Sequence, residues 1–281
     1  MEALLPSFPA IAQPLKNAAQ QSVLHAFQQR KHKCLVMGAT GAVGRFLVGH
    51  LLALNAFEKV TVLTRRPIKY DGSNADRLQI VTIQDFDHPE HQSAVFKDHT
   101  HFFCTHGTTR AQAGSADAFR RIDRDMVLNF ARVFRDQNQG KPLHMLVVTA
   151  TNANLNSMFL YPKTKGEIEQ GLAEMGFDRL SVFRPGFLKH RHTQRWVEEV
   201  AGWMVPAVEW MAPRKMAVEC EEVARAMQAV AVGLSMSGSH SDAILQRPPT
   251  NTLWQAKSAN PASKVAVYDN EDCVHLGAPV E

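Results

Sequence analysis

Lys33-Cys34-Leu35-Val36-Met37-Gly38-Ala39-Thr40-Gly41-Ala42-Val43-Gly44-Arg45-Phe46 runs from a short apolar stretch through three glycines into residues of helical spacing. It reads as a strand, a tight turn and the start of a helix. Each glycine has its own duty in such a turn: unusual dihedrals, a backbone that meets a phosphate without an intervening Cβ, and close packing of helix on strand. The helix N-terminus adds free N–H groups and the positive end of its dipole, which together hold an anion. The expected ligand is the pyrophosphate of a dinucleotide, NAD or NADP. A glycine triple is weak evidence alone, and the chain on either side supplies its context.

Phe46 to Phe57 carries apolar residues at helical intervals, and Lys59 to Leu63 is a β-branched strand ending in Thr64-Arg65-Arg66-Pro67. Leu78 to Ile83 reads as the next strand and stops just before Asp85. A polar, histidine-rich stretch follows, then a strand over Thr100 to Cys104, a helix from Ser115 to Asp136 and a strand over Leu143 to Val148. Tyr161 to Met175 is helical, and Arg179 to Phe183 is a strand running into Arg184-Pro185-Gly186. Strands alternating with crossover helices predict an α/β fold, a Rossmann-type doubly wound and mostly parallel sheet covered on both faces.

Beyond Gly186 the pattern loosens. Residues 187–215 are rich in Trp, Met and Pro and suit a small C-terminal substrate lobe; Cys220 to Val232 regains helical periodicity. Residues 233–263 read as a long, flexible surface loop, and Lys264 to Tyr268 as the last strand. The expected division is an N-terminal extension over residues 1–30, helical in part from Leu15 to Phe27, and a single NAD(P)-binding domain over 31–281, with 187–281 contributing the lobe.

A chain of 281 residues, 45% hydrophobic, can bury one sizeable core. The formal charge of +4 is mild and Lys and Arg are dispersed, so nucleic acid is not an expected partner. No run approaches the roughly 18 uncharged apolar residues that a bilayer requires, so the chain is not expected to be transmembrane. The four cysteines lie far apart with no Cys-x-x-Cys pair, which suits buried thiols in a reducing compartment. The cytoplasm is the expected location and the mitochondrion the alternative; a presequence is Arg-rich, but the first arginine here is Arg30. Of the 13 histidines, His88/His91, His99/His101 and His190/His192 have chelating spacings. No Cys or carboxylate cluster completes a four-ligand set, and no metal is expected.

Tyr161 is followed at the fourth position by Lys165. On a helix the two share a face, so an ammonium beneath the phenol favours the phenolate. A phenol ionises near pH 10; lowering that by about 2 to 3 units takes roughly 3 to 4 kcal/mol of anion stabilisation. Tyr161 can then exchange a proton with a substrate oxygen while hydride moves at a nicotinamide. The plain alternative is a helix that buries Tyr161 and exposes Lys165. Pro162 pushes Tyr161 toward the helix start. NAD-selective sites carry an acid after the second strand; here Thr64, Arg65 and Arg66 stand there, and an arginine fork suits the 2′-phosphate of NADP(H). The alternative for both arginines is solvated surface charge.

The chain resembles the short-chain dehydrogenase/reductase superfamily in its extended, atypical branch, and more closely the Tat-interacting-protein oxidoreductase-like family. The resemblance is carried by Gly38-Ala-Thr-Gly-Ala-Val-Gly44, Thr64-Arg65-Arg66, Gly107-Thr108-Thr109-Arg110 with Ala113-Gly114, Asp123-Arg124-Asp125, Phe159-Leu160-Tyr161 with Lys165-Gly166-Glu167, Phe177-Asp178-Arg179 and Ser181-Val182-Phe183-Arg184-Pro185-Gly186. It implies a Rossmann-type domain binding NADPH, Tyr161 and Lys165 in the catalytic positions, and Arg184, Pro185 and Gly186 beside the nicotinamide. Gly38, Thr40, Gly41, Ala42, Val43, Gly44, Arg65, Arg66, Asp85, Gly107, Thr108 and Thr109 complete the candidate cofactor contacts. Two departures stand out. Where the family places serines before the tyrosine, this chain reads Thr149-Ala150-Thr151, so Thr149 or Thr151 takes the place of the substrate-orienting hydroxyl. His106, before Gly107, stands where relatives tend to be apolar; it either faces the mouth of the site or caps the strand. The implied function is an NADPH-dependent oxidoreductase acting on an unidentified carbonyl or hydroxyl compound. The alternative is a non-catalytic NADP(H)-binding regulatory or adaptor protein with a protein partner, and an epimerase with held cofactor uses the same fold.

Overall fold

Within Lys33–Met37 (β1) successive side chains leave by opposite faces: Cys34 and Val36 enter one core, Leu35 and Met37 the other. A strand apolar on both faces needs cover on both. The protein, described by a computed structural model over residues 3–5, 18–189, 217–233 and 263–277, provides it.

Seven strands form one sheet: β1, Lys59–Thr64 (β2), Leu78–Thr82 (β3), His101–Cys104 (β4), His144–Val148 (β5), Arg179–Phe183 (β6) and Lys264–Tyr268 (β7). Their spatial order is β7-β6-β5-β4-β1-β2-β3, and every neighbouring pair is parallel. The chain moves outward from β1 to β3 and then returns to β1's other side with β4. The carboxyl ends of β1 and β4 therefore flank the crevice where strand order reverses, the place where such sheets bind ligands.

The helices are Ala18–Gln29 (α1), Gly44–Leu54 (α2), Met126–Gln137 (α3), Leu160–Glu174 (α4), Cys220–Val232 (α5) and Asn270–Gly277 (α6). Leu47 and Leu51 of α2, Val223 and Met227 of α5 and Leu276 of α6 fill one core. Phe130 and Phe134 of α3, with Ile168 and Leu172 of α4, fill the other. The helix expected from Ser115 to Asp136 is in three pieces: an α-helical turn at Ala116–Arg120, a π-helical turn at Arg121–Asp125, then α3. The wider π turn shifts the register of the facing side chains, and Asp123 is fully buried.

Leu5 and Phe27, from the stretch set apart as an extension, are buried in the α2-side core, and Ala3–Leu4 pairs in parallel with Ile68–Lys69. Within 187–281, α5, β7 and α6 belong to the sheet and its cover, because their apolar faces are spent there. What remains described of the expected lobe is a small parallel pair, Phe187–Lys189 with Ala217–Glu219. Residues 190–216 and 234–262, holding most of the lobe and the expected loop, lie outside the described residues. All four cysteines are buried free thiols, and no described helix is long and apolar enough to cross a membrane.

The amino ends of the strands carry buried histidines. His101 and His144 are register partners at the starts of β4 and β5, with rings 5.4 Å apart. His144 Nε2 lies 2.9 Å from Ser181 Oγ. Burial pushes His101 down to about 3 and His144 well below the ordinary histidine value. The unfolded chain protonates these rings near pH 6.5, the folded one only far below, so the folded state is favoured fully above about pH 6.5 and loses stability as pH falls. Each ring contributes a loss of about 1.4 kcal/mol per pH unit within that window. Thermal unfolding should shift to lower temperature steadily from pH 6.5 toward 4, and His144→Gln should flatten the slope; an unchanged slope would assign the acid sensitivity elsewhere.

Candidate functional site

The turn after β1 places backbone where side chains cannot follow. Gly38 has φ +91°, and a Cβ there would stand 2.6 Å from the His106 nitrogen and the Thr105 carbonyl carbon. A Cβ on Gly44 would run into the Gly38 carbonyl oxygen. Glycine at both positions lets α2 begin directly over the β1 and β4 ends. The Gly41 N–H donates to Gly38 O at 2.9 Å, closing the turn. Val43 caps α2 without a side-chain bond, and the first turn has no acid. The helix end is thus left electropositive, as an anion requires. Arg45 Nε and His106 Nε2, on either side of this turn, are buried without hydrogen-bond partners among the described residues. The cradle and the two spare nitrogens fit a dinucleotide pyrophosphate; Thr40 is exposed and Gly41 and Ala42 are half-buried at its rim.

Tyr161 is the second residue of α4. Pro162 therefore falls in the first turn, where its missing N–H removes no helical bond, and the four-residue spacing to Lys165 stays helical. The plain helical alternative is inverted: Lys165 is 4% exposed and Tyr161 is 42% exposed. Lys165 Nζ lies 5.6 Å from the Tyr161 ring centroid and is ion-paired with Asp123 Oδ2 at 2.6 Å. Burial alone would pull the ammonium down, yet the Asp123 carboxylate and the phenol outweigh it and hold Lys165 above its ordinary value. Asp123 Oδ1 accepts from the Thr108 N–H at 2.5 Å. Gly107 passes beside this pair: a Cβ there would sit 3.6 Å from Lys165 Nζ. His106 faces inward next to the same group, and burial pushes it down to about 4 against the pull of Asp123.

Two expected site residues point elsewhere. The Thr149 hydroxyl donates to Glu169 Oε1 at 2.6 Å, and Arg184 grips the same carboxylate with Nε at 2.9 Å and Nη2 at 2.5 Å. All three residues are buried. The carboxylate thus holds Thr149 at the start of its loop and ties the Arg184 guanidinium to α4. Thr151, the other candidate, is exposed, and its N–H donates to Pro185 O at 3.0 Å. The Gly186 N–H donates to Asn270 Oδ1 at 2.7 Å.

The remaining candidates lie along the crevice rim. Arg65 and Arg66 are exposed directly after β2, and no ion pair holds either among the described residues. Asp85 Oδ1 caps the following turn by accepting from the Asp87 and His88 N–H groups at 2.9 and 3.3 Å. Thr109 Oγ1 caps Arg110–Ala113 by accepting from Gln112 N at 3.2 Å.

A parallel sheet reversing at β1, a glycine cradle at that reversal and a tyrosine–lysine pair on the same edge belong to a Rossmann-type α/β fold. The family model described as HIM1 matches residues 72–206. Protein HTATIP2 of Rattus norvegicus is 36% identical over 162 residues, 58% of this chain and 65% of the rat protein, so the match spans a little under two thirds of that relative. Protein fmp52, mitochondrial, of Emericella nidulans is 31% identical over 177 residues, covering 62% of this chain and 74% of the fungal protein. The chain belongs to the family of these Tat-interacting-protein and FMP52 relatives. Among solved structures, a short chain dehydrogenase family protein from Francisella tularensis superposes with a TM-score of 0.56 at 13% identity, over 85% of this chain and 97% of that one. A short chain dehydrogenase from Burkholderia cenocepacia in complex with NADP superposes with a TM-score of 0.53 at 19% identity, over 76% and 91%. Both agree with the fold.

The sequence pattern does not single out Glu169, and Asp123 enters it only within the Asp123-Arg124-Asp125 string; the buried lysine and arginine they meet reveal both. Glu169→Ala leaves the Arg184 charge buried and unpaired and should cost about 3 to 5 kcal/mol in chemical denaturation. Adding Arg184→Met should recover much of that loss; full additivity of the two losses would show that the pair does not act as a unit.

Proposed function

We propose that the chain is an NADP(H)-dependent oxidoreductase in which Tyr161 passes a proton to or from the oxygen of a carbonyl or hydroxyl compound. The observation that carries this reading is the inverted helix start, with Lys165 buried at 4% exposure beneath a Tyr161 exposed at 42%. An amphipathic helix gains nothing by burying a cation under a phenol it leaves in solvent; a proton-transfer group needs both. The cofactor supplies hydride transfer when bound. Gly38, Thr40, Gly41, Ala42, Val43 and Gly44 would line its pyrophosphate, Gly107 and Thr108 the stretch beside Lys165, and Arg65 with Arg66 its 2′-phosphate. The NADP held by the Burkholderia neighbour supports the same ligand class. The names of the fungal relatives support a mitochondrial location over the cytoplasm.

One observation favours the second reading, an NADP(H)-responsive regulatory protein read by a protein partner. The Thr149 hydroxyl is committed to Glu169, which leaves the substrate-orienting role to the exposed Thr151 or to no hydroxyl at all. Tyr161→Phe decides between the two: it should abolish reduction of a carbonyl panel and leave NADPH affinity nearly unchanged. Retained turnover in that variant removes Tyr161 from the chemistry. A wild-type protein that binds NADPH tightly and turns over no member of the panel favours the regulatory reading.

Coenzyme preference follows from the arginine pair. Losing the 2′-phosphate removes one or two charge-assisted hydrogen bonds of about 1.5 to 3 kcal/mol each, so NADPH should bind at least roughly tenfold tighter than NADH. Arg65→Ala with Arg66→Ala should erase most of that preference and leave NADH binding little changed. Equal calorimetric affinities in the wild type would overturn the NADP assignment and leave the fold untouched.

A further inference from the structure

A carboxylate inside the protein next to the group that should acidify Tyr161 is costly and calls for a role. Asp123 is fully buried, on the π-helical turn at Arg121–Asp125. Both of its oxygens are engaged, one by Lys165 Nζ at 2.6 Å and the other by the Thr108 N–H at 2.5 Å. The ammonium therefore sits closer to an anion than to the phenol ring, whose centroid is 5.6 Å away. A cation with an anion in contact presents a dipole to its surroundings, and its effect at a distance falls well below that of a lone charge.

Among the described residues with contacts to this group, the other partners are apolar, neutral or already paired. The Phe119 ring covers another side of Tyr161, with centroids 6.0 Å apart. The Cys104 thiol near Lys165 is pushed up to about 11 by burial, and His106 is pushed down to about 4, so both are neutral at pH 7. Arg65 acts through its field on His106. Arg124 is matched with Glu167 at 2.7 Å and with Asp125 at 2.7 Å. The charge felt by the phenol is thus the balance of Lys165 and Asp123.

We propose that Asp123 is the positioning residue that sets how far Lys165 acidifies Tyr161: it pins the ammonium, ties it to the Gly107–Thr108 turn, and cancels most of its charge. This rests on the reading of Tyr161 as the proton-transfer residue. Asp123 thereby moderates the charge that Lys165 presents to the phenol.

The test reads Tyr161 directly, in the ligand-free full-length protein, as the pH midpoint of phenolate ultraviolet absorbance. The Tyr161→Phe protein serves as the blank for Tyr70 and Tyr268, and circular dichroism verifies the fold across the titration. Asp123→Asn should lower the Tyr161 midpoint by about one pH unit or more; a smaller fall, no change or a rise overturns the proposal. If Asp123→Asn does not fold, the charge-free pair Asp123→Asn with Lys165→Met gives the reading, since apolar or neutral replacement of a whole buried ion pair is tolerated better than removal of half. With the two charges cancelling in the wild type, that double variant should keep the midpoint within about half a unit, and a larger shift in either direction overturns the proposal. No nucleotide or substrate enters the titration. A protein that reduces carbonyls through Tyr161 but whose midpoint ignores Asp123→Asn keeps the oxidoreductase reading and loses this one; a protein with no turnover whose midpoint falls does the reverse.

Discussion

A parallel sheet covered on both faces can expose polar groups only at the two ends of its strands, and that constraint organises this molecule. At the carboxyl ends, the reversal of strand order between β1 and β4 keeps the connecting turns apart and opens a crevice. The Gly38 turn enters it from one side and Thr105 to Thr108 from the other. At the amino ends of β4 and β5, His101 and His144 are packed as neutral rings among Phe27, Phe57 and one another. The same residue type is a core component at one end and, as His106, a spare nitrogen beside the cradle at the other.

How much of this could be read from the sequence depends on whether the deciding signal is local. The β1 turn was legible because the conformation at Gly38 and the contact of Gly44 with Gly38 arise within seven residues and permit few substitutes. The Tyr161–Lys165 spacing was legible as a shared helical face, but spacing says nothing about which end of the pair is buried. That depends on Asp123, some forty residues away on a turn whose register is π rather than α. Nothing in the Arg-Ile-Asp-Arg-Asp run marks Asp123 as buried, and it is the π turn that brings it inward. Arg184 shows the same limit: its position after β6 is where a cofactor contact is expected, and the pattern does not show that Glu169 on α4 holds its guanidinium. Long-range pairing of charges is the information a one-dimensional pattern lacks.

The two buried ion pairs on this edge differ in chemistry. Arg184 and Glu169 meet through two bonds, with Thr149 donating a third to the same carboxylate; a bidentate pair held on both carboxylate oxygens suits a brace between β6 and α4. Lys165 reaches Asp123 through one oxygen and keeps further N–H donors on a flexible stem. It lies beside the Gly107 backbone and beneath an exposed phenol. A brace wants saturation and rigidity; a group that must answer to a ligand or a proton wants a spare donor and a counter-charge that can be outweighed. By that criterion the Asp123–Lys165 pair, and not the Glu169–Arg184 pair, is the part of this edge built to respond.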